Sequence, residues 1–308
     1  MKVGVIVPQG WTGEYAGWRP QAAWRRTIAI AQEAEQLGFE SVWVFDHFQT
    51  VPEPRQEITF ESLTTLAALA ALTSRVRLGQ LVSCAGYRNP ALVAKMMSTL
   101  DVISDGRMEL GLGAGWKEDE WRAYGYGYPS LAERQRGLRD ALEIAIAMFR
   151  DEQPSHGGMT ASIAGAINIP KPVQAPRLPI VVGGNGRAVT WRLAAAYADE
   201  LNLDNVPVAE LPDALAVISE RCREIGREPA SLPVSVHIWW ESLAAAPDPV
   251  ELLRGYGEAG VSRVMALIRG ATTDLGAVEQ FRRQAEMAGA GFAEANVSAT
   301  SPGPCRST

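Results

Sequence analysis

"SVWVFDHFQT", residues 41–50, is the stretch on which the reading of the fold turns. Its first five residues are apolar, β-branched or aromatic after the opening serine, the composition of a strand covered on both faces in a parallel sheet. Asp46 and His47 follow with no turn residue between them. An acid and one of only three histidines therefore stand where the strand leaves its sheet. In an α/β barrel that is the end at which chemistry is placed.

Outward from this stretch the pattern repeats. Short apolar runs at 3–7, 41–45, 76–82, 108–112, 180–182, 200–203, 234–239 and 263–268 read as strands. Between and after them, apolar residues recur at three- and four-residue steps over 23–37, 60–74, 90–103, 131–149, 187–197, 210–225, 249–259 and 273–288, the period of helices. Eight strand–helix units are the count of a (β/α)8 TIM barrel, whose usual length is ~250 residues. A doubly wound sheet predicts a Gly-rich fingerprint after its first strand, and here that strand runs into Pro8-Gln9-Gly10 without one. The expectation is α/β: one barrel domain over 1–290, with a Gly- and Pro-rich insertion at 151–179 before strand five and a disordered tail over 291–308.

Composition narrows the function. Hydrophobic residues make up 47% and charged residues 21% of the 308, which suits a globular domain with a sizeable core. No charge-free apolar stretch reaches about 18 residues, so no membrane span is expected, and the apolar start at 3–7 reads as a strand rather than a signal peptide. Three widely spaced cysteines (Cys84, Cys222, Cys305) predict neither a disulfide scaffold nor a zinc site and suit a reducing cytoplasm. A net charge of −6 with no Lys/Arg run argues against nucleic acid as a partner. No His/Asp/Glu group stands at metal-ligand spacing and no Gly-x-Ser-x-Gly elbow occurs, so neither metal chemistry nor hydrolysis has a motif behind it.

The strand ends give a list of site candidates. Gly113-Ala114-Gly115 and Gly183-Gly184 each precede a helical segment. Such glycines either make tight turns or leave bare N–H groups for a phosphate at a helix start. Two of them on neighbouring strands favour a shared anion site, to which Arg187 can add charge. His47 is the candidate for proton transfer, because an imidazole titrates at ~6.5. Asp46 either fixes the tautomer of His47 or caps a helix; strand alternation sends the two side chains to opposite faces. His156, in the insertion, and His237, within strand seven, read as structural. Of nine tryptophans, Trp11, Trp18, Trp116, Trp239 and Trp240 fall near strand ends, where aromatic walls suit a planar apolar ligand.

Through "AEQLGFESVWVFDHF", "LTSRVRLGQLVSCAGYRNPALVAKMMSTLDVISDGRMELGLGAGW", "EDEWRAYG" and "KPVQAPRLPIVVGGNGRAVTWRLAAAYADELN" the chain resembles the luciferase-like flavin and deazaflavin oxidoreductases over about residues 1–270. Within them it looks most like the branch that depends on coenzyme F420. The resemblance implies a (β/α)8 barrel, a homodimer, and F420 (alternatively FMN) bound at the strand C-termini. It places the ring against a bulge after strand three, with a non-proline cis peptide at Ser83–Cys84. It puts the phosphate-bearing tail on Ala114-Gly115 and Gly183-Gly184, and His47 near the reactive edge.

The implied activity is hydride transfer between F420 and a small organic substrate, with reduction of a C=C or C=N bond. A reduced-FMN monooxygenase is the alternative, and a non-catalytic flavin-binding protein the third reading. Trp116 stands where certain deazaflavin dehydrogenases carry a glutamate, with Glu118 and Glu120 further on. Val51 replaces an aromatic residue four places after the histidine, and no basic cluster awaits a sugar phosphate. These departures favour a neutral, planar or cyclic substrate.

Overall fold

Strand pairing closes a ring. In a computed structural model that describes residues 1–293, β1 (Lys2–Ile6), β2 (Ser41–Val44), β3 (Arg77–Gln80), β4 (Met108–Gly113), β5 (Ile180–Gly183), β6 (Glu200–Asp204), β7 (Val234–Ile238) and β8 (Arg263–Leu267) each pair in parallel with the next. β8 returns to β1 with Arg263 opposite Lys2, and β3 meets β4 with Leu78 opposite Met108. The TIM barrel expected from the sequence is the fold observed.

Helices follow the strands: α1 (Pro20–Gln36), α2 (Ser62–Leu72), α3 (Pro90–Ile103), α4 (Glu118–Ala123), α5 (Leu131–Arg150), α6 (Thr190–Tyr197), α7 (Leu211–Arg223), α8 (Trp240–Ala245), α9 (Pro249–Glu258) and α10 (Gly276–Met287). Their starts are written locally. Pro opens α1, α3 and α9, where its missing N–H costs nothing. Asn89 caps α3, and Ser130 with Glu133 forms a reciprocal capping box on α5. The sequence reading missed α4 and α8, six residues each, which are too short to display a period.

Strand three departs from expectation. It stops at Gln80, and after Leu81-Val82 a two-residue strand, Ser83–Cys84, pairs with β4 opposite Leu112 and Gly113. The non-proline cis peptide is Leu81–Val82, not Ser83–Cys84 as the resemblance implied. The physical reason is that Ser83 and Cys84 are already back in the ladder; the irregular backbone lies between the two pairings.

Alternation along the strands makes two cores. Val3, Val5, Val42, Val44, Leu78, Leu110, Val182, Leu203, Val236 and Val264 pack outward against the helices. Ile6, Trp43, Val181 and Met265 fill the lumen. Trp43 takes its place because Gly79 is bare: a Cβ there would lie 2.3 Å from the indole. Each fully buried large apolar side chain stabilises the fold by about 1.5–3 kcal/mol.

Below Trp43 the N-terminal end of the barrel is closed by charge. The buried Arg263 guanidinium lies 4.8 Å from the centre of the Trp43 ring and donates to Glu109, Glu200 and Glu40. Burial opposes ionisation of Glu109, yet Arg263 and Arg77 hold its carboxyl well below the usual range. Burial and the Glu109 charge push Glu200 upward against the pull of Arg263.

The insertion carries a hairpin (His156–Gly157 with Ser162–Ile163) laid on α5, where Asp140 accepts from Thr160 N at 2.6 Å and Ala161 N at 3.1 Å. The fold brings His156 to within 3.9 Å of Asp140 and 3.5 Å of Glu143. Ligand-type atoms of these three lie within 4.8 Å of one another. Sequence spacing does not register this grouping, because its third member comes from a hairpin. Residues 291–293 return to the barrel, with Gly291 N donating to Met1 O and Ala293 N to Gly38 O. The rest of the expected tail, 294–308, lies outside the described residues. Among the described residues, no helix is long and apolar enough to cross a membrane.

Candidate active site

A cavity of about 210 Å³ opens among the C-terminal strand ends, between the two glycine turns and His47. Gly113, Ala114, Gly115, Gly183 and Gly184 all line it. Gly115 has φ +77°, and a Cβ on it would lie 2.3 Å from the Cys84 sulfur. The turn therefore needs glycine both for its backbone and for its space. Gly115→Ala is expected to weaken ligand binding by at least ~10-fold or to lower the melting temperature by several degrees, as overpacking costs ~1–3 kcal/mol. Calorimetric titration beside a thermal melt checks it.

His47, just past β2, is held from three sides. Its Nδ1 is 2.9 Å from Oε2 of the buried Glu120. Trp11 stacks on the ring at 5.0 Å and 20°, and Trp116 meets it edge-on at 5.8 Å. Glu120 is in turn saturated: Tyr87 OH donates to Oε2 at 3.0 Å, and Phe48 N and Gln49 N donate to Oε1 at 2.9 and 3.2 Å. An ionised carboxylate only accepts, at about four lone-pair sites. The proton between the two groups therefore sits on Nδ1, and Nε2 is the nitrogen left for the cavity. Burial and the Glu120 charge push the Tyr87 phenol upward, which keeps it a donor.

Asp46 does something else. Arg88 forks onto its carboxylate at 2.7 and 2.8 Å, Ser62 Oγ donates at 2.7 Å and Cys84 N at 2.9 Å. Burial opposes its charge, but the Arg88, Ser62 and Cys84 bonds hold the carboxyl below the usual range. Asp46 neither orients His47 nor caps α2, whose N-cap is Glu61. Asp46 lines the cavity beside His47, and its oxygens are occupied in tying β2 to the segment after the bulge.

Two of the cofactor candidates are not among the residues that line the cavity. Ser83 turns its hydroxyl to Asp46 at 3.2 Å and does not line the cavity. Arg187 pairs with the exposed Asp213 on α7 and lies 5.4 Å from the Trp191 ring, also off the cavity. Cys84 does line it, with burial pushing the thiol up to about 12, so it is a neutral packing group.

His237, read from sequence as structural, lines the cavity with Asn202 and Asp204. The signal was present in the alternation of β7: Val236 and Ile238 pack outward, so His237 must face the lumen. Glu120 and Tyr87 had no such signal, since nothing local says which loop a glutamate on a six-residue helix will meet.

Fold and site define a (β/α)8 protein whose cavity, lined by tryptophans and glycines, lies at the C-terminal mouth of the barrel. The chain belongs to the luciferase-like monooxygenase family, whose profile matches residues 1–302. An uncharacterised protein of Mycobacterium tuberculosis is 30% identical over 259 residues, 77% of this chain and 85% of that one. The F420-dependent glucose-6-phosphate dehydrogenase of Kineococcus radiotolerans is 34% identical over 165 residues, a match spanning 52% of this chain and 47% of the relative. Among solved structures, an F420-dependent secondary alcohol dehydrogenase in complex with an F420-acetone adduct aligns with a TM-score of 0.77 at 20% identity, over 93% of this chain and 98% of that one. The FMN-bound oxygenating constituent of 3,6-diketocamphane monooxygenase from Pseudomonas putida aligns at 0.70 and 16% identity, over 92% and 96%. These two structures share the fold.

Proposed function

We propose that this protein is an F420-dependent oxidoreductase that moves hydride between the deazaflavin and a small, neutral, planar or cyclic organic substrate, reducing a C=C or C=N bond. The observation that carries this reading is the meeting of His47, oriented by Glu120, with both glycine turns around one cavity. The residues fit the group: Ala114 and Gly115 line the cavity, and their backbone N–H groups have no acceptor among the described residues, as a phosphate-binding turn requires. Ala114, Gly115, Gly183 and Gly184 would hold the phosphate-bearing tail, and Leu81, Val82 and Cys84 would floor the ring. When bound, the deazaflavin supplies or accepts hydride at its ring carbon.

Everything else falls to the chain. Reduction of a double bond needs hydride on one atom and a proton on its neighbour. His47, protonated at both nitrogens, gives that proton from Nε2 while Glu120 stabilises the imidazolium through Nδ1. Trp11, Trp116 and Trp239 give the site its aromatic walls. Tyr87 and Asp46 act as positioning residues, the first on Glu120 and the second on the bulge.

Fluorescence titration with F420 and with FMN, followed by loss of the reduced deazaflavin's absorbance with cyclic enones and imines, tests the proposal. The expected result is micromolar or tighter F420 binding with substrate-dependent oxidation. The family match favours a second reading, a reduced-FMN monooxygenase; oxygen uptake with FMNH2 and none with reduced F420 would establish it instead. Tight binding without turnover would leave a flavin-binding protein. We also propose a homodimer, supported by exposed apolar side chains on α3 (Leu92, Val102, Ile103) beside Ile167 and Ile169; light scattering at twice the chain mass is the result expected.

A further inference from the structure

The cavity has a second polar wall, built by the ends of β6 and β7 and unused in the mechanism above. His237 Nδ1 lies 2.8 Å from Asn202 Oδ1, and His237 Nε2 lies 3.0 Å from Asp204 Oδ1. Asn202 commits its amide N–H to Ser235 Oγ at 3.0 Å, which leaves its oxygen facing the ring. Both imidazole nitrogens thus face side-chain oxygens of β6. The indole of Trp239 donates to the same Asp204 oxygen at 2.6 Å. Oδ1 is therefore filled, whereas Oδ2 has no donor among the described residues, and the side chain is 48% exposed at the cavity.

The wall is rigid. Asn185 makes a two-way clamp on the Asp204 backbone, donating to its carbonyl at 2.8 Å and accepting from its N–H at 2.9 Å. Asn205, in the left-handed region at φ +47°, accepts from Trp239 N at 3.1 Å, and its own N–H reaches His237 O at 2.9 Å. Burial opposes the Asp204 charge, but His237 and Trp239 hold the carboxyl below the usual range, so it stays an acceptor. A latch between two strands needs one carboxylate oxygen. This one keeps a second, charged and without a donor among the described residues, beside Trp239 on the cavity lining.

We propose that Asp204 is the cavity's acceptor for a hydrogen-bond donor on the bound ligand, an O–H or a ring N–H, with His237 and Trp239 as its positioning residues. The proposal rests on the cavity being the ligand site of the function given above. It adds a selection rule: of two ligands of equal shape, the one with a donor binds better. The donor has two sources, the imide N–H of a flavin or deazaflavin ring and a hydroxyl on the substrate.

Two matched pairs separate them. One compares FMN and F420 with their N3-methylated rings; the other compares phenol with anisole, by tryptophan quenching, with and without bound cofactor. In the wild type the donor-bearing member of one pair is expected to bind about 10- to 100-fold tighter, as for a hydrogen bond to a charged group. In Asp204→Ala the ratio should collapse to about twofold or less, with Asp204→Asn and His237→Gln in between. A ratio held by the imide pair assigns the cofactor as source, and one held by the phenol pair assigns the substrate. Absence of any preference in the wild type, or its survival in folded Asp204→Ala, overturns the proposal. If the wild type binds neither cofactor, the F420 and FMN readings fail, while the phenol pair without cofactor still decides the role of Asp204. Should Asp204→Ala not fold, the same ratio in Asp204→Asn, which keeps an oxygen for Trp239, gives the answer.

Discussion

Replacing His47 by alanine is expected to lower turnover by ~10²- to 10⁴-fold while leaving cofactor affinity within about threefold of the wild type. The split follows from where the imidazole is held. Its Nδ1 is committed to Glu120 and its face to Trp11, so Nε2 is the part that can reach a ligand. The glycine turns that would carry the phosphate are backbone and do not depend on the ring. A loss confined to KM would mean that His47 only binds, and unchanged turnover would remove it from the chemistry. Glu120→Gln is the companion experiment. Glu120 accepts from four donors, and an amide would turn N–H groups towards two of them. Turnover should fall by ~10-fold or more, with some loss of stability from unmatched buried donors. Tyr87→Phe removes one of those donors and keeps the carboxylate, so its effect should be smaller; stopped-flow hydride transfer with reduced F420 measures all three.

The sequence disclosed the architecture because barrel strands must be covered on both faces and the period changes visibly from two to about 3.6 at each helix. It disclosed the two glycine turns and His47 for a related reason: each is written at the boundary of an element. What it hid are side-chain partners supplied from elsewhere. Asp46 sits next to His47 in the chain, yet its partner is Arg88 on the far side of the bulge. The group that does hold His47 is Glu120, 73 positions away, on a helix of six residues. Arg187 follows the second glycine turn, yet its partner is the exposed Asp213 on α7. His237 was legible in principle, since its neighbours Val236 and Ile238 face the helices. A lone histidine in an apolar run has no local feature to announce its partners, and those came from β6.

The largest stability effect is expected at the opposite end of the barrel. Arg263→Met should destabilise the protein by about 3–5 kcal/mol, because the loss of one cation leaves buried carboxylates uncompensated. Arg263 bonds Glu109 at 2.7 Å, Glu200 at 2.7 Å and Glu40 at 3.0 Å; after its removal, Arg77 alone still pairs with Glu109. The pH dependence has a definite sign. In the wild type the Glu109 carboxyl lies below its ordinary value of 4.5, so its contribution is present above that pH and is lost as pH falls through the lower, folded value. In the variant the same carboxyl, buried with too little positive charge, moves above 4.5, and the folded state then takes up protons more readily than the unfolded chain. The deficit against wild type should therefore be larger at about pH 8 than at about pH 5. Guanidinium unfolding followed by tryptophan fluorescence at the two pH values measures it. Adding Glu109→Gln and Glu200→Gln to Arg263→Met removes the uncompensated charges and should recover most of the loss. An equal deficit at both pH values would show that Arg263 stabilises the barrel through its packing on Trp43, 4.8 Å away, rather than through charge.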